Sequence, residues 1–165
     1  MITGKVVKFG EDVNTDVILP GKYLVLTLNS QELAKHAMEG LDPNFSEKVR
    51  GGAILVAGKN FGCGSSREEA PTALKYAGVK CVLAESFARI FYRNAINIGL
   101  PVMECRGISK EVEEGNMLIV DLAIGEIKNQ TKNITLHGTK LPDFILEILA
   151  SDGLIEHLKK KMGLK

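Results

Sequence analysis

An alternation of apolar runs with amphipathic segments, between residues 53 and 103, constrains the fold of this chain most. The predicted elements are strands at Ala53–Ala57, Val79–Ala84 and Leu100–Met103 and helices at Ser66–Ala77 and Ser86–Ile98. This order of strands and helices is the one that parallel strands with right-handed crossovers produce. Val79–Ala84 is largely apolar on both of its faces, which is typical of a strand inside a sheet that is covered on both sides.

Shorter elements are expected before and after this block. They are a strand at Ile2–Phe9, helices at Ser30–Glu39, Asp143–Ala150 and Leu154–Met162, and an antiparallel meander at Met117–Leu122, Glu126–Gln130 and Asn133–His137. Leu41–Gly52 reads as a polar connection, and Tyr23–Thr27 as either a strand or an exposed loop. The sequence therefore predicts an α/β fold in one domain over residues 1–165, with a largely parallel central sheet, flanking helices and a small antiparallel element.

The overall composition argues against several classes of function. The 165 residues carry a net charge of +1, which gives no reason to expect nucleic acid or an anionic membrane as a partner. No apolar run approaches the roughly 20 residues of a membrane span, and the N-terminal sequence MITGKVVKFG lacks the apolar core of a signal peptide. We therefore expect a cytoplasmic protein that recognises its substrate at a local site.

The three cysteines do not form a metal-binding pattern. Because their number is odd and no CxxC pair occurs, we expect neither a disulfide framework nor a zinc or iron–sulfur site made by this chain alone. Cys81 and Cys105 lie in or beside apolar runs and are expected in the core. Cys63 lies in a glycine-rich turn, where it could be a structural residue or a functional thiol.

The turn Asn60–Glu69, with the sequence NFGCGSSREE, is the strongest candidate for chemistry. Its glycines allow another group to approach the backbone closely. The predicted helix after it would direct unpaired amides at the same space, and Arg67 would add a planar cation suited to a carboxylate. Ser65 or Ser66 could cap that helix, or one hydroxyl could react. The residues alone leave two interpretations open, an anion-binding site and a well-capped helix.

Other polar residues have structural explanations beside functional ones. Asp16, in the turn sequence NTD, could simply close an Asx turn. Arg89 and Arg93 lie four residues apart on a predicted helix, which is usual for a solvated face and also fits a helix edge that lines a cleft. His36 has no partner of metal-ligand type nearby in the sequence and is expected to be solvated at the surface.

At NFGCGSSRE the chain resembles the aconitase superfamily, and it is similar in particular to the separately encoded small subunits of isopropylmalate isomerase and homoaconitase. Matching segments follow one another along nearly the entire chain: an opening strand with GKV, then NTDVILP, YLVLT, GGAILVAGKNFGCGSSREEAP and ALKYAGVKCVLAESFARIFYRNAINIGLP. The resemblance implies the swivelling β/β/α domain of aconitases, which closes over an active site whose [4Fe-4S] cluster belongs to the large subunit. This chain would then bind no metal or cofactor itself, in agreement with its missing cluster cysteines.

The resemblance also implies roles for individual residues. Ser65 resembles the base that removes a proton from a carbon next to a carboxylate. Ser66 and Arg67 resemble ligands of the substrate carboxylates, and Asp16 resembles an acidic active-site residue. A serine hydroxyl is a weak base unless its alkoxide is stabilised by nearby amides and cations. Glu69 departs from the common pattern, since many relatives carry histidine there.

By the same resemblance, Tyr23, Leu24, Val25, Leu26 and Thr27 form a substrate-specificity loop. Relatives that handle an extra carboxylate carry an arginine there, in a YLRT pattern, whereas this chain offers alkyl groups. Because a buried charge without a counterion costs several kcal/mol, we expect the loop to disfavour a third carboxylate and to accept an alkyl branch. The expected reaction, together with the large subunit, is the conversion of 2-isopropylmalate to 3-isopropylmalate by dehydration and rehydration in leucine biosynthesis.

Three alternatives stay open at this point. Citramalate and other small 2-alkylmalates could fit the same loop, because one missing methylene changes binding by only about 1–3 kcal/mol. The chain could instead be the small subunit of a homoaconitase. It could also be a carboxylate-binding module without catalytic activity.

Overall fold

Seven β-strands form one sheet in the computed structural model, which describes residues 1–26 and 28–164. The strands are β1 at Ile2–Lys8, β2 at Ala53–Ala57, β3 at Val79–Ala84, β4 at Val102–Glu104, β5 at Met117–Asp121, β6 at Glu126–Asn129 and β7 at Ile134–His137. Their order across the sheet is β4-β3-β2-β1-β5-β6-β7. β1 to β4 pair in parallel, whereas β5, β6 and β7 continue the sheet beyond β1 in antiparallel pairs. The predicted α/β class is confirmed, and the antiparallel element is part of the same sheet.

Eight α-helices and one 3₁₀ helix lie between and beside the strands in the described residues. The α-helices are α1 at Thr15–Ile18, α2 at Ser30–Ala34, α3 at Phe45–Val49, α4 at Glu69–Ala77, α5 at Arg89–Asn97, α6 at Ile108–Glu111, α7 at Asp143–Ala150 and α8 at Leu154–Lys161, and the 3₁₀ helix is at Gly21–Leu26. α4 and α5 are the crossovers that join the parallel strands β2, β3 and β4. Over the same described residues, no helix is long and apolar enough to cross a membrane.

Apolar side chains of the parallel strands alternate between two core clusters, one on each face of the sheet. On β2, Leu55 belongs to the larger cluster, which includes residues of α4 and α5, while Ile54 and Val56 belong to the smaller cluster, which includes Ile108 of α6. All five residues of β2 are buried. The prediction that Val79–Ala84 is covered on both faces is also confirmed, because Val82 of β3 belongs to the larger cluster and Leu83 to the smaller one. Such burial stabilises the fold by about 25 cal/mol for each Å² of apolar surface.

Two segments between β1 and β2 differ from their predicted structures. The helix predicted at Ser30–Glu39 ends at Ala34, and turns follow it. The segment Leu41–Gly52 is not only a polar connection, because it contains α3, whose Phe45 and Val49 are fully buried. Two apolar residues four apart bury one side of this short helix.

Candidate functional site

The glycine-rich turn after β2 lies against the segment that follows β1. The backbone N–H of Gly62 donates to the carbonyl of Val13 at 2.8 Å, and the N–H of Thr15 donates to the carbonyl of Cys63 at 2.8 Å. Both segments leave the carboxyl ends of neighbouring parallel strands, which is the edge where ligands bind in open α/β sheets. The structure therefore brings together the two stretches that the sequence analysis selected, residues 14–16 and 60–67.

Arg67 and Asp16 form the charged centre of this site. Nη1 of Arg67 lies 3.2 Å from Oδ1 of Asp16 and donates to the carbonyl of Leu19 at 3.4 Å. The backbone N–H of Gly21 donates to the same carboxylate oxygen at 2.9 Å. The Arg67 side chain is 20% exposed and the Asp16 side chain 69% exposed. Within the described residues only Nη1 of the guanidinium makes hydrogen bonds, so its other N–H donors can bind a ligand.

The hydrogen bonds at Asp16 lower the pKa of its carboxyl group. The N–H of Gly21 has the largest effect, and the hydrogen bond from Arg67 follows it. Both contacts favour the ionised carboxylate because they donate to its oxygen. Asp16 is therefore an anion that holds the guanidinium of Arg67 in a fixed orientation at neutral pH, rather than a residue that only closes a local turn.

Ser65 and Ser66 lie exposed on the turn, and no hydrogen bond within the described residues involves their hydroxyls or their backbone N–H groups. The interpretation that one of them caps the next helix is wrong. α4 begins at Glu69, and Glu68 stands at the N-cap without a side-chain hydrogen bond. The helix begins later than predicted because Arg67 turns back toward the segment after β1. Both hydroxyls are consequently free to meet a substrate.

Two glycines of the turn are required by their surroundings. Gly62 has a φ of +83°, and a Cβ there would lie 2.2 Å from Cγ of Phe91 on α5. Gly64 has a φ of +100°, and a Cβ there would lie 3.4 Å from the hydroxyl of Thr15. Thr15 is 2% exposed, and its hydroxyl has no hydrogen-bond partner in the part of the chain that the structure describes. Gly62 thus allows the close approach of α5 to the turn, whereas Gly64 is favoured by its positive φ.

Gly21, two residues before the predicted specificity loop at Tyr23–Thr27, lies beside the charged centre. A Cβ on Gly21 would lie 3.3 Å from Oδ1 of Asp16 and 3.4 Å from Nη2 of Arg67. Gly21–Leu26 forms a 3₁₀ helix, rather than the strand or loop expected from its sequence. Thr27, the last residue of the predicted loop, lies outside the described residues.

The side chains of this 3₁₀ helix point in two directions. Val25 is 80% exposed and Leu26 is 57% exposed. Tyr23 and Leu24, in contrast, are partly buried and pack against the larger core cluster. Among the described residues of the segment, Val25 and Leu26 are therefore the apolar side chains that can contact a ligand.

Arg89 and Arg93 border an open cavity of about 450 Å³ at the beginning of α5. Its lining residues are Phe87, Arg89, Tyr92, Arg93, Glu104 and Thr139. Both arginines are exposed, so this helix edge is solvated and also lines a cleft. Ile90 is 50% exposed, because the buried side of α5 is formed by Phe91, Ala95 and Ile96.

The cysteines are distributed between the core and the turn. Cys81 and Cys105 are buried, as predicted, and burial raises the pKa of both thiols. Cys63 is partly exposed in the turn. In residues 1–26 and 28–164, no group of three or more histidine, cysteine, aspartate or glutamate side chains could hold a metal ion.

Comparisons with known sequences agree with the resemblance noted above. The family described as aconitase C-terminal domain matches residues 27–107. The isopropylmalate/citramalate isomerase small subunit of Methanocaldococcus jannaschii is 60% identical over 99% of this chain and 96% of its own length. The 3-isopropylmalate dehydratase small subunit of Halothermothrix orenii is 57% identical over 96% of this chain and 95% of its own length.

A solved structure agrees as well. The crystal structure of 3-isopropylmalate dehydratase from Methanocaldococcus jannaschii matches with a TM-score of 0.91 at 49% identity, covering 98% of this chain and 95% of that chain. The fold and the turn are those of the C-terminal, swivelling domain of aconitase-type proteins. Within that class, the chain belongs to the family of 3-isopropylmalate dehydratase small subunits.

Two contributors to the site were not identified from the sequence. The N–H of Gly21 donates the hydrogen bond that lowers the pKa of Asp16 most, and Gly21 lies outside the candidate site residues selected from the sequence. His36 was expected to be solvated, but its ring stacks on Tyr23 with the centroids 3.8 Å apart. No periodicity marks this contact, because it joins the 3₁₀ helix to a turn after α2.

Proposed function

We propose that this chain is the small subunit of a 3-isopropylmalate dehydratase, converting 2-isopropylmalate to 3-isopropylmalate in leucine biosynthesis. One observation carries the proposal: the guanidinium of Arg67, fixed by Asp16, retains free donors on the same turn as the free hydroxyls of Ser65 and Ser66. These functional groups can bind a carboxylate and act on the carbon beside it. The names of relatives at 57% and 60% identity support the same activity.

In the proposed reaction, Ser65 removes a proton from the carbon that carries one carboxylate, and the hydroxyl group leaves the neighbouring carbon. The proton and the hydroxide together make one molecule of water, and a carbon–carbon double bond forms. Water then adds back with the hydroxyl on the other carbon. Arg67 and Ser66 hold the substrate carboxylate, and the unpaired N–H groups of the turn are available to stabilise the Ser65 alkoxide.

The site on this chain is open and provides half of what the reaction needs. Asp16, Ser65 and Ser66 are exposed, and the described residues contain no group of three or more histidine, cysteine, aspartate or glutamate side chains that could hold a metal ion. We therefore propose that a large subunit covers this edge of the sheet in the cytoplasm. That subunit would carry the [4Fe-4S] cluster, which supplies a Lewis acid for the departing hydroxyl. Neither nucleic acid nor a membrane takes part.

The side chains exposed on the 3₁₀ helix favour a substrate with an alkyl branch. Val25 and Leu26 offer no counterion for a third carboxylate, which disfavours the substrates of a homoaconitase. Citramalate is a second candidate, since the Methanocaldococcus jannaschii relative is named for both isopropylmalate and citramalate. Its methyl group would fill less of the space beside Val25 than an isopropyl group does.

Reconstitution tests the proposal. The purified chain is combined with a cluster-bearing large subunit of a 3-isopropylmalate dehydratase, and turnover of 2-isopropylmalate, citramalate and homoaconitate is measured. We expect activity only in the complex, with the highest kcat/KM for 2-isopropylmalate. A preference for homoaconitate would make the chain a homoaconitase subunit. Binding of dicarboxylates by the chain without turnover in the complex would support a non-catalytic module.

A further inference from the structure

Tyr23 is the one aromatic residue of the predicted specificity loop. Its side chain packs against the larger core cluster instead of extending into solvent as Val25 does. Its ring stacks on the imidazole of His36, with the centroids 3.8 Å apart and the planes inclined by 12°. Its hydroxyl donates to Oε1 of Glu39. The other carboxylate oxygen of Glu39 lies 2.9 Å from Nδ1 of His36. These three side chains therefore form a closed cluster, in which each contacts the other two.

The two residues that hold Tyr23 stand on a well-fixed turn. His36 and Glu39 flank Met38, which is fully buried and whose N–H donates to the carbonyl of Ile18 at 2.8 Å. Ile18 is the last residue of α1, the helix that also carries Asp16. The turn with His36 and Glu39 is thus connected through backbone hydrogen bonding to the helix that orients Arg67.

The 3₁₀ helix is held at its start and at Tyr23. At its start, the N–H of Gly21 donates to the carboxylate of Asp16, and the N–H of Tyr23 donates to the carbonyl of Pro20 at 3.1 Å. A 3₁₀ helix has weaker hydrogen-bond geometry than an α-helix and is used in short pieces. Its orientation therefore also depends on side-chain contacts, among them those of Tyr23 with Glu39 and His36.

The ammonium group of Lys22 lies beside the same cluster. Its Nζ lies over the Tyr23 ring, 5.2 Å from the centroid. Lys22 and Val25 are three residues apart and would share a face of the 3₁₀ helix. The cluster thus keeps the cation of Lys22 on the tyrosine ring while Val25 extends into solvent. An alkyl-selective surface benefits from this separation, because a cation near Val25 would attract a third carboxylate.

We propose that Tyr23 is a positioning residue for substrate selection, held by His36 and Glu39 so that the 3₁₀ helix presents Val25 and Leu26 to the alkyl branch of the substrate. The inference rests on the proposed function for its substrate class. Its structural part, the anchoring of the segment by Tyr23, can be measured on the chain alone.

Two measurements on the variant Tyr23→Phe test the inference. The variant keeps the aromatic ring but loses the hydroxyl that donates to Glu39. Tyr76→Phe is the matched control, because Tyr76 is 43% exposed on α4 and its hydroxyl makes no hydrogen bond within the described residues. Hydrogen exchange of the amides of residues 21–26 is followed in the isolated chain. KM and kcat for 2-isopropylmalate and citramalate are measured in the reconstituted complex.

We expect Tyr23→Phe to speed amide exchange in residues 21–26 by about fivefold or more and to raise the KM for 2-isopropylmalate by a similar factor, since one such hydrogen bond contributes about a factor of two to ten. The value of kcat should stay within about twofold of the wild-type value. The ratio of kcat/KM for 2-isopropylmalate over citramalate should decrease. Glu39→Ala should reproduce these changes, and Tyr23→Phe should add little in that background. Glu39→Gln, which keeps an acceptor for the hydroxyl, should restore part of the wild-type KM.

The inference is overturned if Tyr23→Phe behaves like Tyr76→Phe in both exchange and KM. It is also overturned if the two substitutions Tyr23→Phe and Glu39→Ala have fully additive effects. If the wild-type complex turned over no 2-alkylmalate, the proposed function would fail, and the exchange measurement would still decide whether Tyr23 anchors the segment.

Discussion

The guanidinium of Arg67 lies 3.2 Å from the carboxylate of Asp16, across 51 positions of sequence. This contact joins the turn after β2 to the helix after β1, and it holds a cation on the same turn as the exposed residues Ser65 and Ser66. The N–H of Gly21 holds the same carboxylate, so the segment that begins at Gly21 is fixed relative to the charged pair. The candidate binding turn and the segment that leads into the predicted specificity loop thus share one anchor, Asp16.

The pKa of Asp16 tests whether its carboxylate makes these contacts. Because the N–H of Gly21 and then Arg67 stabilise the carboxylate, the pKa of Asp16 should lie below the ordinary aspartate value of about 3.9. A lowered folded-state pKa means that the contribution of the pair to stability is complete above the unfolded-state pKa and is lost as the pH falls through the folded-state value.

Carboxyl ¹³C NMR of the isolated chain measures this pKa. Arg67→Gln should raise it only partly, because the N–H of Gly21 remains as the larger cause. A midpoint at or above about 3.9 in the wild-type chain would contradict the described contacts.

Gly21→Ala should perturb the charged pair without unfolding the protein. The added Cβ would lie 3.3 Å from Oδ1 of Asp16 and 3.4 Å from Nη2 of Arg67, so the pair must shift by a few tenths of an ångström. We expect the KM of the reconstituted complex to rise severalfold, with a change in unfolding free energy of less than about 1 kcal/mol. Gly10→Ala is the control, since a Cβ there meets no atom within 4 Å. Equal kinetics for the two variants would count against the role of Gly21.

Gly62→Ala should destabilise the fold strongly. Its Cβ would overlap the Phe91 side chain, 2.2 Å from Cγ, in addition to the strain of a φ of +83°. Gly51→Ala has nearly the same strain, with a φ of +86°, but meets no atom within 4 Å. Overpacking typically costs about 1–3 kcal/mol, so urea unfolding should show Gly62→Ala to be less stable than Gly51→Ala by roughly that amount. Similar stabilities would show that the turn and α5 can separate at little cost.

Val25→Arg should shift substrate preference toward a third carboxylate. Val25 is 80% exposed on the 3₁₀ helix that begins beside the charged centre, so an arginine there can extend toward a ligand. A charge-assisted hydrogen bond is worth about 1.5–3 kcal/mol, which corresponds to roughly 10- to 100-fold in the ratio of kcat/KM for homoaconitate over 2-isopropylmalate. Ile155→Arg adds the same charge at another exposed apolar position and should leave the ratio unchanged. An unchanged ratio in Val25→Arg would exclude the segment as the selective element.

The parallel strands could be predicted from sequence because their signals are local. β2 and β3 are largely apolar on both faces and each is preceded by a glycine, and the meander from β5 to β7 is marked by its turns. Helix boundaries were less well predicted where a tertiary contact decides them. α4 begins at Glu69 because Arg67 reaches back to Asp16, and a capping pattern contains no information about that distant partner.

The sequence predicted which residues form the candidate site better than how these residues are arranged in space. The sequence and its resemblance selected Asp16, Ser65, Ser66 and Arg67, and the structure brings these segments together. Their catalytic roles stay predictions. The assignment of residues 1–165 to a single domain also stays a prediction. The anchoring of Tyr23 could not be predicted, because a stacked ring on a turn depends on the path of the whole segment after α1.

The kinetic comparison of Ser65→Ala with Ser66→Ala, each reconstituted with the large subunit, tests the central claim most directly. If Ser65 is the base, Ser65→Ala should lower kcat for 2-isopropylmalate by about 10²- to 10⁴-fold while the subunits still associate. Ser66→Ala, which removes a carboxylate ligand, should mainly raise KM. A wild-type kcat in Ser65→Ala would contradict the account.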